Sequence, residues 1–182
     1  VSAFGSQGAK VMNETIADMM PLEQADGFPF HHIHATGRYG VELLPRLLRE
    51  KGVAYENNPN LDIREYIHDM PDCLAAADLV IARAGAITLA ELTAVGRASV
   101  LIPSPNVAEN HQYHNAMVLA NHKAAVVIEE KDLTGEKLVQ TVSAMLAQPG
   151  KLAEMGKNAR SLSVDDSLDR ITAALLKLVK TP

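Results

Sequence analysis

The segment Asp78-Leu79-Val80-Ile81-Ala82-Arg83-Ala84-Gly85-Ala86-Ile87-Thr88-Leu89-Ala90-Glu91 constrains the fold more than any other stretch of this chain. Leu79 to Ala82 is a short apolar run without alternation, the pattern of a strand buried on both faces of a parallel sheet. It passes through Arg83 into Gly85 and Ala86, which carry almost no side chain, so a ligand can approach the backbone closely there. The helix starting near Ile87 leaves its first N–H groups unsatisfied, and together with the positive end of the dipole they favour an anion. Thr88 adds a hydroxyl in the first turn. Glu91, three residues later, lies on the same helix face, where its carboxylate can accept two hydrogen bonds from a vicinal diol such as that of a ribose. A phosphate at the helix end and a ribose one turn on describe a seat for a nucleotide.

The rest of the chain repeats this rhythm. Val1 to Phe4 reads as a first strand, followed by Gly5-Ser6-Gln7-Gly8 and a helix from about Ala9 to Met20, with Pro21 to Gly27 as a loop. Phe30 to Ala35 is a second strand, and a helix through Leu43, Leu44, Leu47 and Leu48 requires Pro45 in its first turn. Leu61 to Ile67 is a third strand, Met70 to Ala77 a short helix, and Leu79–Ala82 a fourth strand. The helix Ile87–Val95 stops at Gly96. Ser99 to Ile102, a helix His111 to Asn121 and a strand Ala125 to Ile128 follow, and the remainder is helical up to Lys180. Alternating strands and helices predict an α/β fold, a mainly parallel sheet with helices on both faces. Without a linker, repeat or low-complexity segment, residues 1–182 read as one domain.

Bulk properties narrow the function classes. The 182 residues suffice for a full-size core. Aromatic residues make up 4% with no Trp, so the core rests on Leu, Ile, Val, Ala and Met. A net charge of −5 and the lack of a Lys/Arg run argue against a nucleic-acid partner. Cys73 is the sole cysteine, which precludes an internal disulfide and suits a reducing compartment; its apolar surroundings mark it as packing rather than nucleophile. No apolar run approaches the ~20 residues that span a bilayer, and no secretory signal is present. The chain begins at Val1 in what reads as a strand, as a fragment or processed chain would.

In an open parallel sheet, ligands bind beyond the carboxyl ends of the strands. Three loops fall there: Gly5–Gly8, Arg83–Thr88 and Pro103–Gln112. The first has two glycines and a hydroxyl at a helix start, but it matches neither the dinucleotide fingerprint G-x-G-x-x-G nor the Walker A ending Gly-Lys-Ser/Thr, which demotes NAD binding and ATP hydrolysis. The third leads into a helix start dense in amides and imidazoles, suited to sugar hydroxyls or simply to a solvated first turn. Gln112 and Asn115 are three apart and share a face. His32 and His34 lie on one strand face, yet no Cys or fourth ligand is near, so an ordinary strand is favoured over a metal site. Asp165-Asp166 reads as a helix start. Met12, Met19 and Met20 read as core filler.

Phe4-Gly5-Ser6-Gln7-Gly8-Ala9, Tyr66-Ile67-His68-Asp69-Met70, Arg83 to Glu91 and Asn110-His111-Gln112-Tyr113-His114-Asn115-Ala116 occur in this order. Together they resemble the C-terminal, donor-binding half of the MurG-type enzymes of glycosyltransferase family 28, over essentially the whole chain. The resemblance implies a GT-B architecture, in which this chain is the second of two Rossmann-like domains. It implies transfer of N-acetylglucosamine from UDP-N-acetylglucosamine to lipid I, forming lipid II in peptidoglycan synthesis, with no cofactor or metal. Carried over, the main chain of Ile67 meets the uracil edge and Glu91 holds the ribose. Thr88, the amides around Gly85 and Ala86, and the first loop through Ser6 and Gln7 serve the diphosphate. Gln112, Asn115 and His111 read the sugar. Arg83 either steadies the diphosphate charge or braces Glu91. The acceptor site, the catalytic base and the membrane-facing patch belong to an N-terminal half absent here. The intact enzyme is thus expected at the cytoplasmic face of the bacterial membrane and this fragment in solution, inactive alone. Two departures stand out: Phe4 replaces the family's first glycine, and His111 stands where some members have Gln. Rival readings are a stand-alone donor-binding subunit, another UDP-sugar enzyme such as a 2-epimerase, and a non-enzymatic nucleotide-binding module. The tail helix carries Leu168, Ile171, Leu175, Leu176 and Val179 at helical spacing, a face expected to pack on the second domain.

Overall fold

The structure, a computed structural model describing residues 1–179, is built on one sheet. Its strands are β1 (Ser2–Ala3), β2 (His32–Ala35), β3 (Leu61–Arg64), β4 (Leu79–Ala82), β5 (Ala98–Leu101) and β6 (Ala125–Val127). They lie in the order β3-β2-β1-β4-β5-β6 with every pair parallel. The strand order reverses between β1 and β4, where Ser2 is in register with both His34 and Ile81. That reversal opens a crevice beyond the carboxyl ends of the central strands.

Helices cover both faces: α1 (Lys10–Ala25), α2 (Leu43–Glu50), α3 (Met70–Ala76), α4 (Ala86–Val95), α5 (His111–Asn121), α6 (Gly135–Leu146) and α7 (Lys151–Arg160), followed by α8 (Ser167–Val179). The unbroken apolar run of β4 serves both, because successive side chains point to opposite sides. Leu79 and Ile81 pack with Met12, Ile16, Leu44 and Leu138 from α1, α2 and α6. Val80 and Ala82 pack with Leu74, Leu89, Leu92 and Leu119 from α3, α4 and α5. Met12, Met19 and Met20 are fully buried core.

Element boundaries moved where tertiary contacts override local signals. α1 runs on through Pro21 to Ala25, where the sequence reads as a loop. Its last turns are clamped by Gln24, which donates to the Gly52 carbonyl at 3.2 Å and accepts from the Ala54 amide at 2.7 Å. β3 ends at Arg64 rather than Ile67, and β1 is confined to Ser2–Ala3. Pro45 does sit in the first turn of α2, where its missing N–H has no intrahelical partner to lose. Gly96, at φ +70°, ends α4 with its own N–H and that of Arg97 on the Leu92 carbonyl. The tail is three helices rather than one run, and Lys180 lies outside the described residues. α8 buries none of its side chains, leaving Leu168, Ile171, Leu175 and Leu178 on its surface. Among the described residues no helix is long and apolar enough to cross a membrane.

Candidate functional site

Three loops meet at the carboxyl edge of β1, β4 and β5. The first is a tight turn in which Gly8 N–H donates to Gly5 O at 3.0 Å, both glycines at positive φ. Its carbonyls at Ser6 and Gln7 accept from the amides of Arg38 and Tyr39 in the loop after β2, while the Ser6 and Gln7 side chains are exposed. The two loops interlock: a Cβ on Gly8 would lie 2.1 Å from the Thr36 carbonyl oxygen. Only glycine fits there. Phe4 is buried in the core beneath this turn, 6% exposed and 6.1 Å from the His34 ring, so it anchors the loop.

The second loop carries β4 into α4. Around Gly85 an added Cβ would meet nothing within 4 Å, so the backbone is open to a ligand. The first helical bond runs from Leu89 N–H to Gly85 O at 3.0 Å, which leaves the N–H groups of Ala86, Ile87 and Thr88 at the open helix end. Glu91, one turn later, is exposed and has neither a hydrogen-bond nor an ion-pair partner among the described residues.

The third loop orients two side-chain amides. Gln112 Oε1 accepts from the Ser104 amide at 3.0 Å, so its NH2 group is left to donate outward. Asn115 Nδ2 donates to the Ala84 carbonyl at 3.3 Å, so its oxygen is left to accept. Because each amide is oriented by a backbone partner of known polarity, the pair presents one donor and one acceptor, the pattern that matches sugar hydroxyls. His111 is exposed, and its Nδ1 donates to the Ala108 carbonyl at 3.0 Å.

Of the two expectations for Arg83, the brace on Glu91 is not formed. Its guanidinium donates to the carbonyls of Ile102 and Pro103, each at 3.2 Å, and forms a half-buried ion pair with Glu130, a residue the sequence reading passed over. It braces the ends of β4, β5 and β6 against one another; Glu91 is not its partner. Ile67 has a buried side chain, packed with Ala35 and Cys73, so only its main chain is available to a ligand. Its turn is held by Arg64, which pairs with Asp62 and Asp69 at 2.6 Å each. The Arg64 bonds hold the Asp62 carboxyl below the usual carboxylate range, and burial pushes the Cys73 thiol up, consistent with packing rather than reactivity.

His32 and His34 lie on β2, as expected, and their side chains form a buried polar network. Both are buried, joined through Ser2 to each other and further to Glu23 and Asn13 on α1. The hint in the sequence is the spacing of Asn13 and Glu23 on the buried face of α1, which reads as apolar only if those two are ignored. Among the described residues no group of three or more His, Cys, Asp or Glu side chains is placed to hold a metal ion. A cavity of about 210 Å3 lies at the opposite end of the strands, beside Val1, Asp78 and Leu79, away from all three loops. The site is an open seat, not an enclosed cavity.

The description "Glycosyltransferase family 28 C-terminal domain" matches residues 3–171. Similar proteins include the UDP-N-acetylglucosamine--N-acetylmuramyl-(pentapeptide) pyrophosphoryl-undecaprenol N-acetylglucosamine transferases of Desulforamulus reducens and Bacillus subtilis. They are 41% identical over 175 residues and 39% over 176, covering 96% and 97% of this chain and 47% of each relative. The crystal structure of Acinetobacter baumannii MurG superposes with a TM-score of 0.81 at 31% identity, over 97% of this chain and 48% of that one. The glycosyltransferase VinC, solved in complex with DTDP, shares the fold with a TM-score of 0.69 at 17% identity, over 100% of this chain and 42% of that one. This chain thus spans about half the length of the curated relatives it matches, and its Rossmann-like sheet is the one used by GT-B glycosyltransferases. By its sequence and its fold alike, the chain belongs to glycosyltransferase family 28, whose C-terminal domain it matches.

Proposed function

We propose that residues 1–182 form one UDP-sugar-binding domain, the donor half of a MurG-type glycosyltransferase. The reaction is transfer of N-acetylglucosamine from UDP-N-acetylglucosamine to an N-acetylmuramyl-(pentapeptide) pyrophosphoryl-undecaprenol acceptor. The observation that carries this reading is the convergence of an open helix N-terminus, an unpaired carboxylate one turn on, and a donor–acceptor amide pair at one sheet edge. In the seat, the main chain at Ile67 faces the uracil edge and Glu91 takes the ribose diol. The N–H groups of Ala86, Ile87 and Thr88, the Thr88 hydroxyl and the Ser6–Gln7 turn serve the diphosphate. Gln112, Asn115 and His111 read the sugar, and Arg83 holds the loops that carry them.

The chemistry follows from where charge builds. An acceptor hydroxyl attacks the anomeric carbon while UDP leaves, so negative charge grows on the diphosphate. Pre-oriented N–H groups and the helix dipole at that point favour the transition state over the ground state. The acceptor contacts and the base that removes its proton are assigned to the half of the enzyme outside this chain, as is peripheral attachment to the cytoplasmic face of the membrane. The exposed apolar face of α8 is the surface that would pack against that half. Titration calorimetry tests the seat: UDP-N-acetylglucosamine binds the wild-type chain, and Glu91→Ala lowers the affinity about tenfold, the worth of a charge-assisted hydrogen bond to a diol. No uptake at millimolar ligand would sink the reading. Equal affinity for UDP and for UDP-N-acetylglucosamine would favour a plain nucleotide-binding module instead.

A further inference from the structure

Behind the first loop lies a chain of buried polar side chains that the nucleotide seat does not touch. Glu23 and Asn13 come from α1, Ser2 from β1, and His32 and His34 from β2, each 3% exposed or less. Its direction can be read from one end. Asn13 Nδ2 lies 2.9 Å from the Thr36 carbonyl oxygen and 3.2 Å from that of Ala9, and carbonyls only accept, so Nδ2 faces them. Asn13 Oδ1 then faces His34 Nε2 at 3.1 Å, which must carry the proton. His34 Nδ1 is left to accept from the Ser2 hydroxyl at 2.7 Å, and Ser2 Oγ in turn accepts from His32 Nε2 at 2.7 Å. His32 Nδ1, 3.1 Å from Glu23 Oε1, closes the chain. From His32 Nε2 onward every donor points the same way, toward Asn13.

The far end of this chain is the first loop. Ala9 is the residue that enters α1, and the Thr36–Gly37 peptide lies against Gly8 so closely that a Cβ on Gly37 would sit 2.1 Å from Gly8 N. The two donors of Asn13 therefore hold the Thr36 carbonyl that packs against Gly8 and the Ala9 carbonyl at the entry to α1. The turn closes on its own Gly8–Gly5 hydrogen bond, but its two glycines at positive φ carry no side chain that could fix it against α1.

We propose that Asn13 is a positioning residue for the donor's diphosphate: oriented by the buried Glu23–His32–Ser2–His34 chain, it fixes the Gly5–Gly8 turn and the first N–H groups of α1 in the geometry that meets the phosphates. This rests on the UDP-sugar reading given above. The seat then has two anion-facing helix starts, one set by Asn13 and one by the open turn at Gly85.

The test compares UDP with uridine, which lacks the phosphates, on the 182-residue chain. Asn13→Asp keeps the shape of the side chain but replaces two donors by an acceptor facing two carbonyls. It should weaken UDP binding about tenfold, the loss of one charge-assisted hydrogen bond, and leave uridine binding unchanged. A UDP affinity equal to wild type, or an equal loss for both ligands, overturns the proposal. Should Asn13→Asp fail to fold, Asn13→Ala removes the same donors without adding charge and gives the same comparison. The imidazole nitrogen resonances of His34 in the wild-type chain report its tautomer independently of any ligand. A proton on Nε2 with Nδ1 bare is expected, and the reverse overturns the direction of the chain. Wild-type protein that ignores UDP while showing that tautomer removes the donor-site reading, and the positioning role with it, but leaves the buried chain standing.

Discussion

At the scale of single residues, the site depends on where a Cβ or a proton fits. Gly8→Ala combines a left-handed backbone at φ +72° with a clash against the Thr36 carbonyl, so a loss of about 2–3 kcal/mol is expected in urea unfolding, together with loss of UDP binding. His34 gives a pH signature. Burial, with His32 beside it, holds its imidazole well below the usual 6.5, so the folded chain keeps it neutral while the unfolded chain protonates it. The unfolded state binds the extra proton as the pH falls, so this contribution is complete above about pH 6.5 and declines below it by about 1.4 kcal/mol per pH unit. Urea midpoints between pH 7.5 and 5 should show that slope in the wild type and a shallower one in His34→Gln; identical slopes would count against it. Ser99 is the opposite case. Its buried hydroxyl has no partner among the described residues, so in urea unfolding Ser99→Ala should leave the stability unchanged or raise it by up to about 1 kcal/mol.

At the scale of elements, the loops of the seat are held by other loops. Arg83 and Glu130, each with about 15% of its side chain exposed, tie the end of β4 to the short turn after β6, while the Arg83 bonds to Ile102 and Pro103 include the end of β5. Breaking the pair from either side strands a partly buried charge. Arg83→Met and Glu130→Gln should each cost about 2 kcal/mol, and the double variant less than their sum, giving a coupling energy well above the ~0.5 kcal/mol of a surface pair. An additive cycle would mean that the brace is not a unit. Local sequence made these elements legible where one residue decides: the apolar run of β4, the Gly96 stop and Pro45 in the first turn of α2. It misled where contacts distant in sequence decide, as at Pro21, where the clamp on Gln24 carries α1 past a residue that ordinarily ends a helix. Arg83 was visible as a charged residue at the end of a strand. Its partner, 47 residues away, was not.

At the scale of the whole molecule, the fold separates a packed sheet from a helix, α8, whose described side chains are all left unburied. Removing residues 167–182 should therefore shift the melting temperature by less than about 2 °C, in line with the small effects of exposed sites, and should reduce self-association driven by the apolar face. A drop of many degrees would mean that α8 holds the domain together. The sequence by itself determined the alternation of elements, the parallel sheet and the three loops at strand ends, because hydrophobic periodicity, glycine and proline act within a few residues. It also determined that Glu91, Gln112 and Asn115 lie on helix faces at those loops. Only the tertiary structure decided which groups remain free to bind. Whether an amide, an imidazole or a guanidinium faces a ligand depends on partners brought from other elements: Ser104 for Gln112, Ala84 for Asn115, Glu130 for Arg83, and the buried histidines for Asn13. Hydrogen-bond direction is a property of pairs, and those pairs exist only once the chain has closed on itself.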